Sequence, residues 1–368
     1  MGLGDPVAPR SAAAEAAARA RLDTLVKPLG ALGRLEDLAA WLAGAQCRCP
    51  PAPLDRVTAV VFAGDHGVAG EGVSAYPSAV TGAMVGAFLA GMAGVSVAAR
   101  LHGVALRVYD IAVDADLPGL PPAVAAHKVR RGSGVIDRED ALGPGEAARA
   151  VAAGAAIADA VVDGGVDLLI PGDMGIGNTT VAAALVAAEL GVPAADVVGT
   201  GTGIDAPTLV HKTSVVAAAL SRPRAPGALG SLTALGSADA AATVGFLLRA
   251  AGRGVPVLLD GVFSSACALV AGRAVPSAVD WWLAGHRSTE PSQRLALAAL
   301  GLDPILDLGM RLGEGSGAVT ALPVLRTAQA LLAEMGTLGD LGVAGGADAG
   351  GGPGDPAGAG SSPSGIDP

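Results

Sequence analysis

The chain has 368 residues, carries a formal net charge of −10, and is 51% hydrophobic with aromatics at only 2%. That length suits one large core or two domains, and the acidic balance argues against a nucleic-acid partner, whose phosphates select basic faces. Mean hydropathy is positive, yet the most apolar stretches, 79–99 and 147–162, are broken by glycines or charges, so no membrane span of about 20 apolar residues is expected. The N-terminal residues offer no apolar h-region, and Gly2 lacks the downstream Ser or Thr of a myristoylation site, so a cytoplasmic protein is expected. Cys47, Cys49 and Cys267 are too few for a disulfide framework. Cys47 and Cys49 are followed by no second CxxC or HxxxH, and read as ordinary thiols at a helix end rather than metal ligands. Neither a metal nor a cofactor is expected.

Residues 12–46 are rich in Ala, Leu, Arg and Glu and predict two helices separated at Lys27-Pro28-Leu29-Gly30. Prolines at 50–53 mark a boundary. From there to about 290, short apolar runs alternate with Ala-rich helical stretches, predicting strands at 57–63, 104–110, 166–171, 196–199, 255–260 and 279–284. These runs are uniformly apolar, as in strands covered on both faces, so the expected class is α/β, a Rossmann-like, mostly parallel sheet flanked by helices. Residues 303–343 return to helix, with Pro323 kinking the long one. From 344 the chain is Gly, Ala, Ser, Pro and Asp, a composition that predicts a disordered tail.

Nearly every apolar run ends in glycine plus a polar group: Gly64-Asp65-His66-Gly67, Asp110, Gly172-Asp173-Met174-Gly175, Gly199-Thr200-Gly201, Asp260-Gly261, Gly285-His286-Arg287. Ligands of open parallel sheets sit outside the carboxyl ends of the strands, so these groups predict one active-site rim. Gly172–Thr180 opens a helix whose first N–H groups would welcome a phosphate; a plain turn capped by Asn178 or a threonine explains the same residues. The missing lysine after its last glycine excludes a Walker-type phosphate loop. Gly199–Asp205 is a glycine-rich nest suited to a phosphate or a sugar hydroxyl, with Lys212 nearby; a tight turn and a solvated lysine fit equally. Glu314 stands between glycines ahead of a helix capped by Ser316, either exposed for chemistry or merely a surface carboxylate. Asp65 and His66 are placed to orient one another or a substrate hydroxyl. His286, with no nucleophile elbow in the chain, suits a positioning role.

The segments KPLGALGRLE (27–36), AGDHGVAGEGVSAYP (63–77), GDMGIGNTT (172–180), GTGTGID (199–205) and AGHRSTEPSQRLALAALGLDPILDLGMRLGEGSGA (284–318) together resemble the nicotinate-nucleotide–dimethylbenzimidazole phosphoribosyltransferase family, in its order and spacing from about residue 20 to 343. The resemblance implies a homodimer and a small helical domain built from both chain ends. Residues 1–50 and 301–343 would form that domain, 51–300 the large α/β catalytic domain, and 344–368 the tail. It implies that Glu314 is the catalytic base, with Asp173 as a second catalytic carboxylate. Gly175, Ile176, Gly177, Asn178, Thr179, Thr180, Gly201, Thr202, Gly203 and Lys212 would hold phosphate and ribose. Tyr76, Met84, Met174 and Leu312 would line the base pocket. Three departures stand out: Asp173 where the family commonly has Glu, Gly236-Ser237 where Gly-Gly is usual, and Ala242-Thr243-Val244 in place of a methionine-containing segment.

The implied substrates are nicotinate mononucleotide and a benzimidazole-type base. The pyridinium ring leaves as neutral nicotinate without a general acid, and one base suffices to take the N–H proton of the incoming ring. Attack opposite the leaving group gives an α-ribotide. The alternative is a non-catalytic nucleotide- or base-binding relative of the same fold, supported by Asp173 and the altered 236–244 segment.

Overall fold

The computed structural model describes residues 6–342; the tail expected at 344–368 lies outside the described residues. Ser11 caps helix α1 (Ala12–Thr24), its hydroxyl accepting from Ala14 N at 3.2 Å. A loop closed by a Lys27–Glu36 ion pair at 2.9 Å then leads to α2 (Arg34–Ala45). The rest runs β1 (Val57–Gly64), α3 (Ala79–Leu89), α4 (Gly94–Leu101), β2 (Val104–Ala112), α5 (Glu146–Asp163), β3 (Leu168–Met174), α6 (Asn178–Leu190), α7 (Ala194–Val197), α8 (Ala206–Ser221), α9 (Gly227–Leu235) and α10 (Ala238–Gly252). It ends with β4 (Val257–Leu259), α11 (Val262–Ala274), β5 (Trp282–His286), α12 (Pro291–Leu300), β6 (Pro304–Leu306) and α13 (Ser316–Glu334).

Among the described residues the six strands are all parallel, in the order β2-β1-β3-β4-β5-β6. The fold is the α/β sheet that uniformly apolar strands predict, and β1 is buried at every position. The chain steps outward from β1 to β2, then returns to the other side of β1 as β3. Strand order therefore reverses between β1 and β3, the place where such sheets bind ligands.

Three expected elements need correction. Residues 196–199 are not a strand: Pro193 turns the chain into the short helix α7, and a pair of valines is too short a signal to decide the matter. Residues 303–343 do not return directly to helix, because Pro304–Leu306 adds an edge strand, with its proline at the first position where no ladder donor is needed. β5 starts at Trp282 rather than 279, since Pro276–Trp281 forms a 3-10 turn.

Small residues do the packing that aromatics do elsewhere. At the crossing of α5 and α10, a Cβ on Gly154 would stand 1.7 Å from Ala242 O, and one on Gly245 2.0 Å from Val151 O. A methyl group there costs roughly 1–3 kcal/mol or more through overpacking. Ala242, Thr243 and Val244 are buried in this crossing, and Ser237 caps α10 through Ala240 N at 3.3 Å. Both departures in the 236–244 segment therefore sit at packing and capping positions.

The chain ends meet. Leu25 pairs with Thr337, Leu338 N donates to Thr24 O at 2.8 Å, and Arg21 Nε donates to Leu332 O at 2.7 Å. α13 is shared, packing on α2 and also on β5 and α4. Residues 79–101 have the length and apolar character of a membrane span. They form two helices, α3 and α4, with Val85, Phe88, Val95 and Ala99 buried in the core.

Candidate active site

Glu314 sits where the last loop returns to the sheet. Its φ of 66° is left-handed, a region non-glycine residues enter only when surroundings enforce it. The enforcement is visible at β3: a Cβ on Gly172 would stand 2.2 Å from Glu314 O, so only glycine lets the loop settle on the strand. The carboxylate is 5% exposed, and Oε2 accepts from Val95 N at 3.0 Å in the first turn of α4. Among the described residues Oε1 accepts no hydrogen bond. Burial raises this carboxyl above its ordinary pKa; the Val95 bond opposes that, and the charge of Asp260 adds to it. The expected Ser316 cap is corrected: Gly315 holds the N-cap position, and Ser316 Oγ instead donates to Gly313 O at 2.7 Å.

Asp173, at the end of β3, is also buried, and Oδ2 accepts from Asn178 Nδ2 at 2.5 Å. Burial, then repulsion by Asp260, push its pKa from the ordinary 3.8 up to about 7, against the pull of Asn178. The folded carboxyl thus keeps a proton that the unfolded chain releases, so stability falls as pH rises from 3.8 to about 7. At about 1.4 kcal/mol per pKa unit, Asp173→Asn should be more stable than the parent by a few kcal/mol at pH 8, with the gain fading by pH 4. Urea unfolding at the two pH values checks this; equal gains at both would contradict it.

Lys212 is fully buried, which removes the solvated-lysine reading. Its Nζ donates to Thr179 Oγ1 at 2.8 Å and to Gly199 O at 3.1 Å. Burial lowers its pKa to about 8, opposed by Glu290. Glu290 in turn accepts from Gly201 N at 2.8 Å, and a Cβ on Gly199 would stand 2.4 Å from its Oε2. The glycines of 199–203 thus let a carboxylate and a lysine close on one turn. Arg311 Nη1 reaches the same turn, donating to Gly201 O at 2.8 Å.

A cavity lies beside these groups, lined by Asp173, Asn178, Thr179, Gly201, Thr202 and Leu312 among the expected residues; Glu314 adjoins its Gly313 wall and Lys212 stands behind Thr179, neither being on the wall itself. Gly175, Ile176, Gly177 and Thr180 are not on its wall. Gly175 and Gly177 instead allow close packing on His66, and Ile176 N donates to the Thr81 hydroxyl at 3.2 Å. The first-turn donors of α6 are occupied rather than free: Asn178 N by Gly175 O, Thr179 N by Asn178 Oδ1, and Thr180 N by Gly177 O. Gly203 is exposed and faces Arg311. Lys212 reaches the cavity through Thr179. Of the residues expected at the base, Leu312 lines the cavity, Met84 and Met174 are half-buried against the core, and Tyr76 is exposed. Ala75 beside Tyr76 donates to Thr202 Oγ1 at 3.0 Å, which brings that loop to the rim. His286, Ser288, Glu290 and Arg311 also line the cavity. The motif 284–291 signals the first three; Arg311 lies within the family-like segment 284–318 but has no motif of its own.

A parallel sheet whose strand ends and following loops bring buried carboxylates to one cavity, with the buried Lys212 of α8 behind Thr179, defines an α/β enzyme-type site for a small molecule. The chain belongs to the phosphoribosyltransferase family, whose model matches residues 7–343. It is 57% identical over 340 residues to the nicotinate-nucleotide–dimethylbenzimidazole phosphoribosyltransferase of Mycobacterium tuberculosis, covering 92% of this chain and 94% of that one. A crystal structure of CobT from Thermus thermophilus superposes with a TM-score of 0.87 at 45% identity, covering 90% of this chain and 99% of that chain. A second structure from that organism, of its nicotinate-nucleotide–dimethylbenzimidazole phosphoribosyltransferase, gives 0.85 at 43% identity, covering 91% and 99%.

Proposed function

We propose that the protein transfers the 5-phosphoribosyl group of nicotinate mononucleotide to 5,6-dimethylbenzimidazole or a related base, giving α-ribazole 5′-phosphate and nicotinate. The observation that carries this reading is the placement of Glu314: a buried carboxylate of raised pKa, with one oxygen anchored on α4 and the other taking no hydrogen bond among the described residues. Family membership and the names of the relatives support the substrates.

In this reading the 5′-phosphate lies against Thr179 and Gly201, with the Lys212 ammonium behind them, and the ribose lies toward Asp173. A benzimidazole nitrogen attacks C1′ as the C1′–N bond to nicotinate breaks. The bonding pair moves onto the pyridinium nitrogen, which leaves neutral. The proton on the other benzimidazole nitrogen passes to Glu314, whose raised pKa makes it a better acceptor near neutrality. Positive charge develops on the ribose in between, and Asp173, once ionised above about pH 7, is suited to stabilise it. Tyr76, Met84 and Met174 remain proposed base contacts beside Leu312. The two chain ends are read as one small helical unit beside a catalytic unit of 51–300. A homodimer and a cytoplasmic location accompany the family resemblance.

The 236–244 segment no longer favours a non-catalytic binder, because its substitutions serve packing and capping. Incubation of the protein with nicotinate mononucleotide and dimethylbenzimidazole should yield α-ribazole 5′-phosphate by chromatography and mass. Binding of both compounds without product would overturn the transfer reading.

A further inference from the structure

We infer that Asp260 is a positioning residue that fixes the Glu314 loop for proton transfer by binding the first turn of α13. This inference rests on the proposed role of Glu314 as the base. Asp260 stands at the end of β4, fully buried, with both carboxylate oxygens turned to the helix: Oδ2 accepts from Gly315 N and Oδ1 from Ala318 N, each at 3.0 Å. Gly315 directly follows the left-handed Glu314, so one hydrogen bond separates Asp260 from the strained residue. A carboxylate on unsatisfied helix-first-turn donors is a charge-assisted contact, stronger than a neutral cap.

The neighbouring strands complete the clamp. His286, at the end of β5, places Nε2 3.5 Å from Asp260 Oδ1, and its ring lies where a Cβ on Gly317 would fall, at 2.0 Å. Gly285 meets Ala318 and Gly172 meets Glu314, each with no room for a side chain. Three adjacent strands therefore grip residues 314–318 through contacts that only glycine, or an anion of this length, permits. The result is a Glu314 carboxylate aimed at α4 rather than swinging with its loop.

The titratable and charged groups around Glu314 are Asp260 from β4, His286 behind it from β5, Asp173 against Gly313 from β3, and the α4 amino end through Val95. On its own loop, Arg311 points away to Gly201 O. The Asp260 charge helps raise the Glu314 carboxyl, and the imidazole of His286 is itself raised, burial opposing and Asp260 outweighing it.

The test is steady-state kinetics across pH on full-length Asp260→Asn, with Glu314→Ala as reference. Asp260→Asn should lower kcat by roughly 10- to 100-fold, the scale of a misplaced catalytic group, with KM for nicotinate mononucleotide within about threefold. The acid limb of its kcat profile should move to lower pH, because an anion that raises Glu314 is gone. A loss through general loosening of the fold would leave that limb in place. Wild-type kcat with an unmoved limb, in protein that is folded by circular dichroism, overturns the inference. Should Asp260→Asn not fold, His286→Asn takes its place: removing the imidazole, whose protonated form Asp260 favours, should move the acid limb to higher pH, and an unmoved limb counts against the clamp. If Glu314→Ala keeps full kcat, the base assignment itself fails. If Glu314→Ala is crippled while Asp260→Asn is normal in both readouts, only the positioning role fails.

Discussion

Glu314→Ala should lower kcat by about 10²–10⁴, the usual range for removal of a general base, with a smaller change in KM for either substrate. The separation of the two constants follows from where the side chain sits. Among the described residues its anchored oxygen accepts only from Val95 N at the start of α4, and the side chain makes no hydrogen bond to the loops proposed to hold the phosphate. Alanine removes the proton acceptor while leaving Lys212, Thr179 and Gly201 as they are. The left-handed φ of 66° persists in the variant because Gly172 and Asp260 hold the backbone, not the side chain. Glu314→Gln, which keeps the Val95 contact but cannot accept a proton, should be nearly as slow. If Gln restores most of the rate while Ala does not, the residue serves geometry and another group takes the proton. Little change in kcat for either folded variant removes Glu314 from the chemistry.

How far this site could be read in advance depended on sequence distance. The β1 run from Val57 is apolar but for Thr58 and rich in β-branched residues, so pattern alone identifies a strand covered on both faces. Pro304–Leu306 is only three residues long, below what any periodicity resolves, and its strand character comes from pairing with β5. The glycine–carboxylate–glycine arrangement around Glu314 announces a special backbone, yet its cause lies in Gly172 and Asp260, far away in the chain. Lys212 illustrates the same limit. Nothing local distinguishes a solvated lysine on a 16-residue helix from a buried one; Thr179, 33 positions earlier, decides it. The helix start at Asn178 was legible as a turn, but its donors proved to be satisfied within the chain. Phosphate recognition is therefore better sought at the lysine than at the helix end.

Lys212→Ala should raise KM for nicotinate mononucleotide by about 2–5 kcal/mol in binding, roughly 30- to 4,000-fold, the scale of truncating one partner of a buried charge pair. The ammonium is buried among Thr179, Gly199 O and the nearby charge of Glu290, so a bound phosphate would meet it with little competing water. Lys212→Met, which keeps the apolar stem and loses the charge, should show nearly the whole effect and so separates electrostatics from packing. The pKa of about 8 gives a second check on the parent enzyme. Burial has lowered it, so the ammonium neutralises as pH rises through that value, and KM for the nucleotide should climb above pH 8 while KM for the base stays flat. A bound dianion stabilises the ammonium, so kcat at saturating nucleotide should stay flat over the same pH range. The Lys212→Met profile should lack the climb. If Lys212→Ala binds the nucleotide as tightly as the parent, the phosphate lies elsewhere on the rim, and Arg311, which already donates to Gly201 O, becomes the cation to remove next.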